Sequence, residues 1–399
     1  MSNSPITRTP PFGLAPFAAA LFTGALLAGC GGGGGGGYGG MPGQPTSGGG
    51  QTCTTDAYGT TTCTPTGGTF GGAGGGNYVS NALVSDTAAT LALHHDANLV
   101  NAWGLAFNPQ AFSWVANAGT GTSTLYDGNG VAQSLVVTLN KGNPSGIVFN
   151  GSTDFSITAN NVSGAAPFIF ATLQGQISAW SPTVDGTHSL TIVDNGTSGA
   201  AYTGLAIDTG AGGDMIYAAD FAKASVDVFS GTFTPVTTAG GFVDSTLPAG
   251  YAPFGIQQIG GKIYVAYAQP DPTTHEKVGA GLGLVDVFDK QGNLLSHLIP
   301  AGGALNAPWG LAMAPANFGK FSNMLLVGNF GDGKINVYDP ATGAMQGTLS
   351  TNAGAAIVVP GLWALQFGNG LNNQPTNTLF YTAGPAAEAH GLYGRIDMN

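Results

Sequence analysis

Three oxygen-bearing side chains, Asn117, Asp220 and Asn329, end short apolar segments far apart in the chain: "SWVAN", "MIYAAD" and "LLVGN". Carboxylate and amide oxygens are the ligands a hard divalent cation takes, and gathered at one point they would hold an ion able to assist hydrolysis. Thr172 stands at the corresponding place in "FIFAT". The other reading is architectural, since Asp and Asn after a strand also cap turns through their side chains. No Glu on the neighbouring strands completes a ligand set. A second set is aromatic. Trp103, Phe254, Trp309 and Trp363 each precede a glycine or alanine and an apolar run. Directed at a common opening, they would form a rim that stacks on sugars or other flat ligands. Packed between layers, they would be core.

Other motifs offer less. The histidines are His94, His95, His188, His275, His297 and His390. None shows metal spacing, and none recurs at equivalent positions. "YDGNG" at 126–130 and "NFGDGK" at 329–334 lack the regular oxygen ligands of a calcium loop and read as hairpin turns. No nucleophile elbow, phosphate loop or dinucleotide fingerprint is present.

The elements that must position these residues follow from a repeat. Trp103-Gly104-Leu105-Ala106-Phe107, Ser145-Gly146-Ile147-Val148-Phe149, Thr203-Gly204-Leu205-Ala206-Ile207, Phe254-Gly255-Ile256, Trp309-Gly310-Leu311-Ala312-Met313 and Trp363-Ala364-Leu365-Gln366-Phe367 each open a unit of short strands. The small residue falls at 104, 146, 204, 255, 310 and 364, a spacing near fifty. That period, built from strands alone, predicts an all-β, six-bladed β-propeller with four strands per blade. Fourth strands are expected at 132–139 and 294–301. The last unit shows only three strands before the chain ends. "NYVSNALVSD" at 77–86 has no unit of its own, so this N-terminal strand is expected to close the last blade. Gly at this position in five of the six units, with Ala364 in the sixth, allows close backbone approach around the axis.

The chain has 399 residues, of which 68 are Gly and only 7% are charged. Tight turns and strands suit that composition better than helices do. A net charge of −11 excludes nucleic acid as an expected partner. Residues 1–30 read as an export signal: Arg8, an apolar run, then "LAGC" ending at Cys30, the pattern of a lipobox with a lipidated cysteine. The simpler alternative is a plain signal peptide. Gly31 after the cysteine favours the outer membrane in the usual bacterial sorting pattern, with a periplasmic or extracellular location otherwise. Residues 31–77 form a Gly-rich linker that buries no core and spans roughly 35–40 Å as a coil. Within it, Cys53 and Cys63 are a candidate local disulfide, with two free thiols as the alternative. The propeller is expected over 78–399.

"NLVNAWGLAFNP", "YAPFGIQQIGGKIYVAYA", "GLVDVFD", "APWGLAMAP" and "LLVGNFGDGKINVYD" resemble an uncharacterised bacterial family of exported conserved hypothetical proteins. Its members look like six-bladed propellers related to NHL-repeat proteins. The resemblance covers about residues 80–399. Some relatives carry a PEP-CTERM sorting tail; this chain shows none after "RIDMN", so the lipobox is the expected anchor. The resemblance implies a propeller whose face binds something, and no activity. By analogy with SMP-30-like lactonases, Asn117, Asp220 and Asn329 would be the channel's metal ligands. The reading that results is an exported, lipid-anchored propeller, more a binding or scaffolding protein than an enzyme. Its partner would be a protein, a glycan or a small ligand, and no cofactor is required. The alternative is a metal-dependent, SMP-30/lactonase-like hydrolase with its divalent ion in the central channel.

Overall fold

A computed structural model describes residues 50–55, 61–66 and 77–399, except 141, 211–212 and 273–274. The expected signal segment with Cys30, and most of the linker, lie outside the described residues. Two units separate at Gly71/Gly72. In the first, Gly50–Thr55 and Thr61–Thr66 pair as an antiparallel hairpin, with Cys53 directly opposite Cys63 in the backbone register.

The second unit is all-β and, among the described residues, contains no α-helix, only two short 3-10 turns. Its strands follow the sequence repeat. Ala102–Phe107, Ser113–Asn117, Thr122–Tyr126 and Ala132–Leu139 are neighbours in that order. Pro144–Phe149, Phe168–Thr172, Gln176–Trp180 and His188–Asp194 repeat the pattern. A short parallel contact, Thr138 and Leu139 against His188 and Ser189, joins these two sets edge to edge into one eight-stranded sheet. Four-stranded meanders recur at Ala252–Ile299 and at Pro308–Thr348. In the last sheet, Tyr78–Ser85 pairs antiparallel with Leu392–Met398, so the strand before the first repeat completes the sheet after the last.

Two sheets depart from the expected four strands: the last gains His94–His95 as a short fifth strand parallel to Tyr78–Ser85, and another falls short. Tyr202–Asp208, Met215–Asp220 and Ser225–Ser230 make three, and the chain then runs irregularly to residue 251. Pro235 and the Gly240-Gly241 pair interrupt any fourth strand there: proline supplies no ladder donor and glycine weakens a strand interior. A single bridge between Phe229 and Pro235 is what remains of the pairing.

The innermost strands stand side by side in succession. Ala102–Phe107 adjoins Pro144–Phe149, which adjoins Tyr202–Asp208, then Ala252–Ile259, Pro308–Met313 and Leu362–Phe367, which returns to Ala102–Phe107. This is a propeller-like arrangement. Its cause is visible at the repeat's glycine. A Cβ on Gly255 would lie 2.1 Å from the carbonyl oxygen of Trp309, and one on Gly310 would lie 2.5 Å from that of Trp363. Only a residue without a side chain lets adjacent inner strands approach so closely. The hydroxyls beside the glycines stitch the same seam: Ser145 donates to the Tyr202 carbonyl at 2.6 Å, and Thr203 to the Phe254 carbonyl at 2.8 Å. Apolar residues of successive sheets interdigitate between these seams, for example Ile169, Ile177, Leu205 and Ile216.

Candidate functional site

The residue after each repeat glycine or alanine faces the axis. Leu105, Ile147, Leu205, Ile256, Leu311 and Leu365 form an aliphatic collar there. The cavity they leave is about 20 Å³, room for about one water molecule and not for a hydrated cation. The aliphatic collar itself offers no ligand atoms; the side-chain amides on this lining are those of Gln257 and Gln366.

Next to the collar, the four sequence-predicted aromatics meet. Trp103 and Trp363 stack with centroids 3.7 Å apart; Phe254 and Trp309 meet the Trp363 ring edge-on at 5.8 and 6.1 Å. Phe330, from the turn after "LLVGN", stacks on Trp363 at 4.2 Å. Trp103, Phe254 and Trp363 are buried, and Trp309 is partly so, its indole N–H donating to the Thr203 carbonyl at 2.9 Å. The residues expected as a ligand rim therefore do converge, but their faces are spent on one another. Close packing of large rings is the lower-energy use of an axis that would otherwise hold water against apolar walls.

Asn117, Asp220 and Asn329 are wholly buried, and their bonding is local. Asn117 donates to the hydroxyls of Thr122 and Thr124 at 3.1 and 3.0 Å. Asp220 accepts the backbone N–H of Ala201 and of Lys223. Asn329 donates to the Ala304 carbonyl and to Asp332. Each side chain thus holds the turns at the end of its own second strand. Burial pushes the Asp220 carboxyl above its ordinary range, against the lowering effect of those two amides. One oxygen of each residue, Asn117 Oδ1, Asp220 Oδ2 and Asn329 Oδ1, is buried without a hydrogen-bond donor.

The chemistry at the axis comes from loops. Asn101 Oδ1 accepts the Trp363 indole N–H at 3.0 Å, and Asn101 Nδ2 donates to Glu388 Oε2 at 2.7 Å. Glu388 in turn feels His275 and raises the pKa of Glu276. Glu276 is buried, and desolvation, followed by the nearby negative charges of Glu388 and Asp271, pushes its carboxyl up to about 9. Burial also raises Glu388, opposed by His275 and by the Asn101 amide. Both carboxyls are therefore shifted in the same direction, Glu276 the further, while the His275 side of the group is exposed to solvent. The backbone there is unusual. Asn101, His275 and Glu388 have φ of 47°, 69° and 66°, and Ala386 and Ala387 share the left-handed region at 56° and 52°. Non-glycine residues in that region cost energy and persist where surrounding structure holds them. Gly384 permits the arrangement, because a Cβ there would meet Asn101 Oδ1 at 2.3 Å.

Sequence reasoning passed over Asn101, Glu276 and Glu388, which sit outside the repeated strands. The one available signal was position: Asn101 stands two residues ahead of Trp103 in the first repeat.

No family model matches the chain. The uncharacterized protein R648 of Acanthamoeba polyphaga mimivirus is 31% identical over 331 residues, 79% of this chain and 79% of that protein. The uncharacterized protein L690 of the same virus is 32% identical over 299 residues, covering 71% of this chain and 77% of the relative. Among solved structures, a gluconolactonase from Xanthomonas campestris superposes with a TM-score of 0.46 at 14% identity, over 76% of this chain and 88% of that one. These relatives correct the expected kinship with a bacterial exported family. The motifs that suggested it, such as "APWGLAMAP" and "GLVDVFD", answer to close strand approach and to buried strands, Leu284–Phe288 being buried along its whole length, demands any chain with these sheets must meet. They identify an architecture and not a lineage. The chain belongs to the same family as the mimivirus protein R648.

Proposed function

We propose that this protein is a binding propeller of six blades whose ligand docks at the axial face formed by Asn101, Glu276, Glu388 and His275. Six inner strands in closed succession, and the outer strand given to the last sheet by Tyr78–Ser85, support the blade count. One observation carries the functional reading: the axis is filled by an aromatic stack and an aliphatic collar, and beside that floor Asn101 ties the Trp363 indole to Glu388, whose neighbour Glu276 is buried; burial raises both carboxyls. Such carboxyls gain most from a cationic group, because an approaching ammonium restores the charged form that burial disfavours. The ligand is therefore an amine-bearing molecule, such as a lysine side chain of a partner protein, an amino sugar of a glycan or a small polyamine. The net charge of −11 favours its approach.

Export and a lipid anchor at Cys30 complete the proposal, resting on "LAGC" at 27–30 and on the Gly-rich segment after it. The test of the site is calorimetry with spermidine, glucosamine and neutral glucose at pH 7. Amines should bind and release protons, seen as heats that vary with the ionisation enthalpy of the buffer. Glu388→Gln should weaken amine binding tenfold or more. Equal binding of glucose, or an unchanged Glu388→Gln, would remove the proposal.

The second reading is hydrolysis at the same face. Its support is the carboxyl pair, one member of which would stay protonated as a general acid. A metal-dependent form in the channel, using Asn117, Asp220 and Asn329, would first have to break the turn contacts those residues make.

A further inference from the structure

The sheet of the fourth repeat, Ala252–Ile299, called the fourth sheet below, carries a different cluster. Asp286 lies mid-strand in "GLVDVFD", and the register sets it opposite His297 on the neighbouring strand Leu294–Ile299. Asp244 reaches the same point from the irregular segment that stands where the third sheet lacks a fourth strand. His297 Nδ1 is 2.6 Å from Asp286 Oδ1 and 3.2 Å from Asp244 Oδ2. Neither aspartate side chain has exposed surface, while 32% of the histidine side chain is open to solvent.

Two features mark this as more than a surface acidic patch. Asp244 Oδ2 and Asp286 Oδ2 are both buried with no hydrogen-bond partner, and Asp244 Oδ2 points at the histidine nitrogen. An oxygen that has given up water without a well-formed hydrogen bond in return is expensive, and a carboxylate oxygen more so, even with the His297 nitrogen at 3.2 Å and the Tyr267 hydroxyl beside Asp286. In addition, one ligand atom from each of the three residues lies within 4.8 Å of the others, the only such His, Cys, Asp and Glu grouping among the described residues. Adjacent ligands on an ion with bonds of about 2.1 Å sit roughly 3.0–3.4 Å apart, octahedral to tetrahedral. The 3.2 Å contact already has that length, and the 2.6 Å contact must open by a few tenths of an ångström.

We propose that Asp244, Asp286 and His297 bind one divalent transition ion of the zinc or manganese class, which fastens segment 231–251 to the fourth sheet. One imidazole with two carboxylates is the donor set such ions accept, and a purely oxygen-seeking ion would not select the nitrogen. On binding, the ion replaces the hydrogen bond between His297 Nδ1 and Asp286, with the imidazole proton held on Nε2 or released to solvent. Two buried negative charges are then balanced by one ion of charge +2, and the orphan Asp244 Oδ2 acquires a partner. Solvent at the exposed edge of His297 supplies the entry path and the remaining ligands as water. The fastened segment already leans on its neighbours: Phe242 meets Tyr217 and Phe288 edge-on or tilted, and the Gly240 N–H donates to the Gln291 carbonyl at 2.8 Å.

The experiment uses the full chain, stripped with a chelator and titrated with Zn²⁺ and with Mn²⁺ by calorimetry, with thermal melting alongside. We expect one saturable equivalent, a raised melting temperature and slower proteolysis within 231–251. Asp286→Asn and His297→Ala should each weaken binding at least tenfold and abolish the protection, while His390→Asn should leave both unchanged. Should Asp286→Asn fail to fold, His297→Ala carries the test, because its side chain is a third exposed. No saturable binding, or binding that survives His297→Ala undiminished, would overturn the site. Loss of metal binding here and loss of amine binding at the axis are separate results.

Discussion

The axis and the rim of this ring bury carboxyl groups in opposite ways. At the axis, Glu276 and Glu388 lie above a floor of stacked rings, with one amide and one histidine to answer them. At the rim, Asp244 and Asp286 flank an imidazole directly. Burial acts first on all four. For Asp244 it is outweighed by hydrogen bonds from the Thr246 hydroxyl and amide and by the neighbouring His297, which hold that carboxyl below its ordinary range. For Glu276 nothing outweighs it. Burial alone does not decide the charge of an acid; the donors supplied with it do. At the axis His275 acts on Glu388, and the rim pair has an imidazole within reach of both members.

The contrast between Glu276 and Asp244 has its strongest consequence in the dependence of stability on pH. An acid whose folded pKa is raised binds a proton in the native state that the unfolded chain has lost. Stability therefore declines as pH rises from the unfolded value near 4.5 toward the folded value of about 9. The slope for one such group reaches about 1.4 kcal/mol per pH unit. Chemical denaturation at pH 5, 7 and 9 should show the wild type weakening, and Glu276→Gln weakening less steeply. Parallel profiles would mean that Glu276 ionises normally and the axial reading loses its basis. The opposite limb belongs to Asp244, Asp289 and Asp339, whose lowered carboxyls lend stability that disappears as pH falls below about 4.

Next in size is the floor itself. Trp363 contacts Trp103, Phe254, Trp309 and Phe330, so Trp363→Ala removes the centre of the stack. Urea unfolding should show a loss of about 3–5 kcal/mol. A loss below 1 kcal/mol would show the rings to be replaceable, and a rim role for them would regain ground.

How much of this was legible in the sequence divides along the same line. The repeat glycines, the strands after them and the closing role of residues 77–86 follow from periodicity, because the ring imposes the same close approach in every unit. The third unit was read with a fourth strand the chain does not form, although Pro235 and Gly240 lie within the segment. The aromatics were located correctly, yet one sequence cannot say whether a ring faces a ligand or another ring. Glu276 and Glu388 escaped notice because loops between repeats carry no period. Asp286 and His297 were both visible, one inside "GLVDVFD" and one among scattered histidines. What joins them is strand register, and two bulges in that pairing shift it. Composition and spacing do not encode such a shift.

The smallest effect separates geometry from chemistry at two glycines. Gly255 lies on an inner strand, where an added methyl would stand 2.1 Å from the Trp309 carbonyl oxygen. Backbone cannot step aside as a flexible side chain can, so the two sheets must part along their seam. Gly255→Ala should cost about 1–3 kcal/mol and broaden the unfolding transition of the neighbouring sheets. Gly303 sits in the loop before the fifth repeat, with nothing within 4 Å of an added Cβ. Gly303→Ala should change stability by less than about 0.5 kcal/mol. If the two variants behaved alike, the inner strands would have slack the structure does not show. The motif's glycine would then answer to turn conformation and not to close approach. A large loss at Gly255 alone ties the repeat in the sequence to the spacing of strands around the axis, the spacing that leaves no room there for anything but packed side chains.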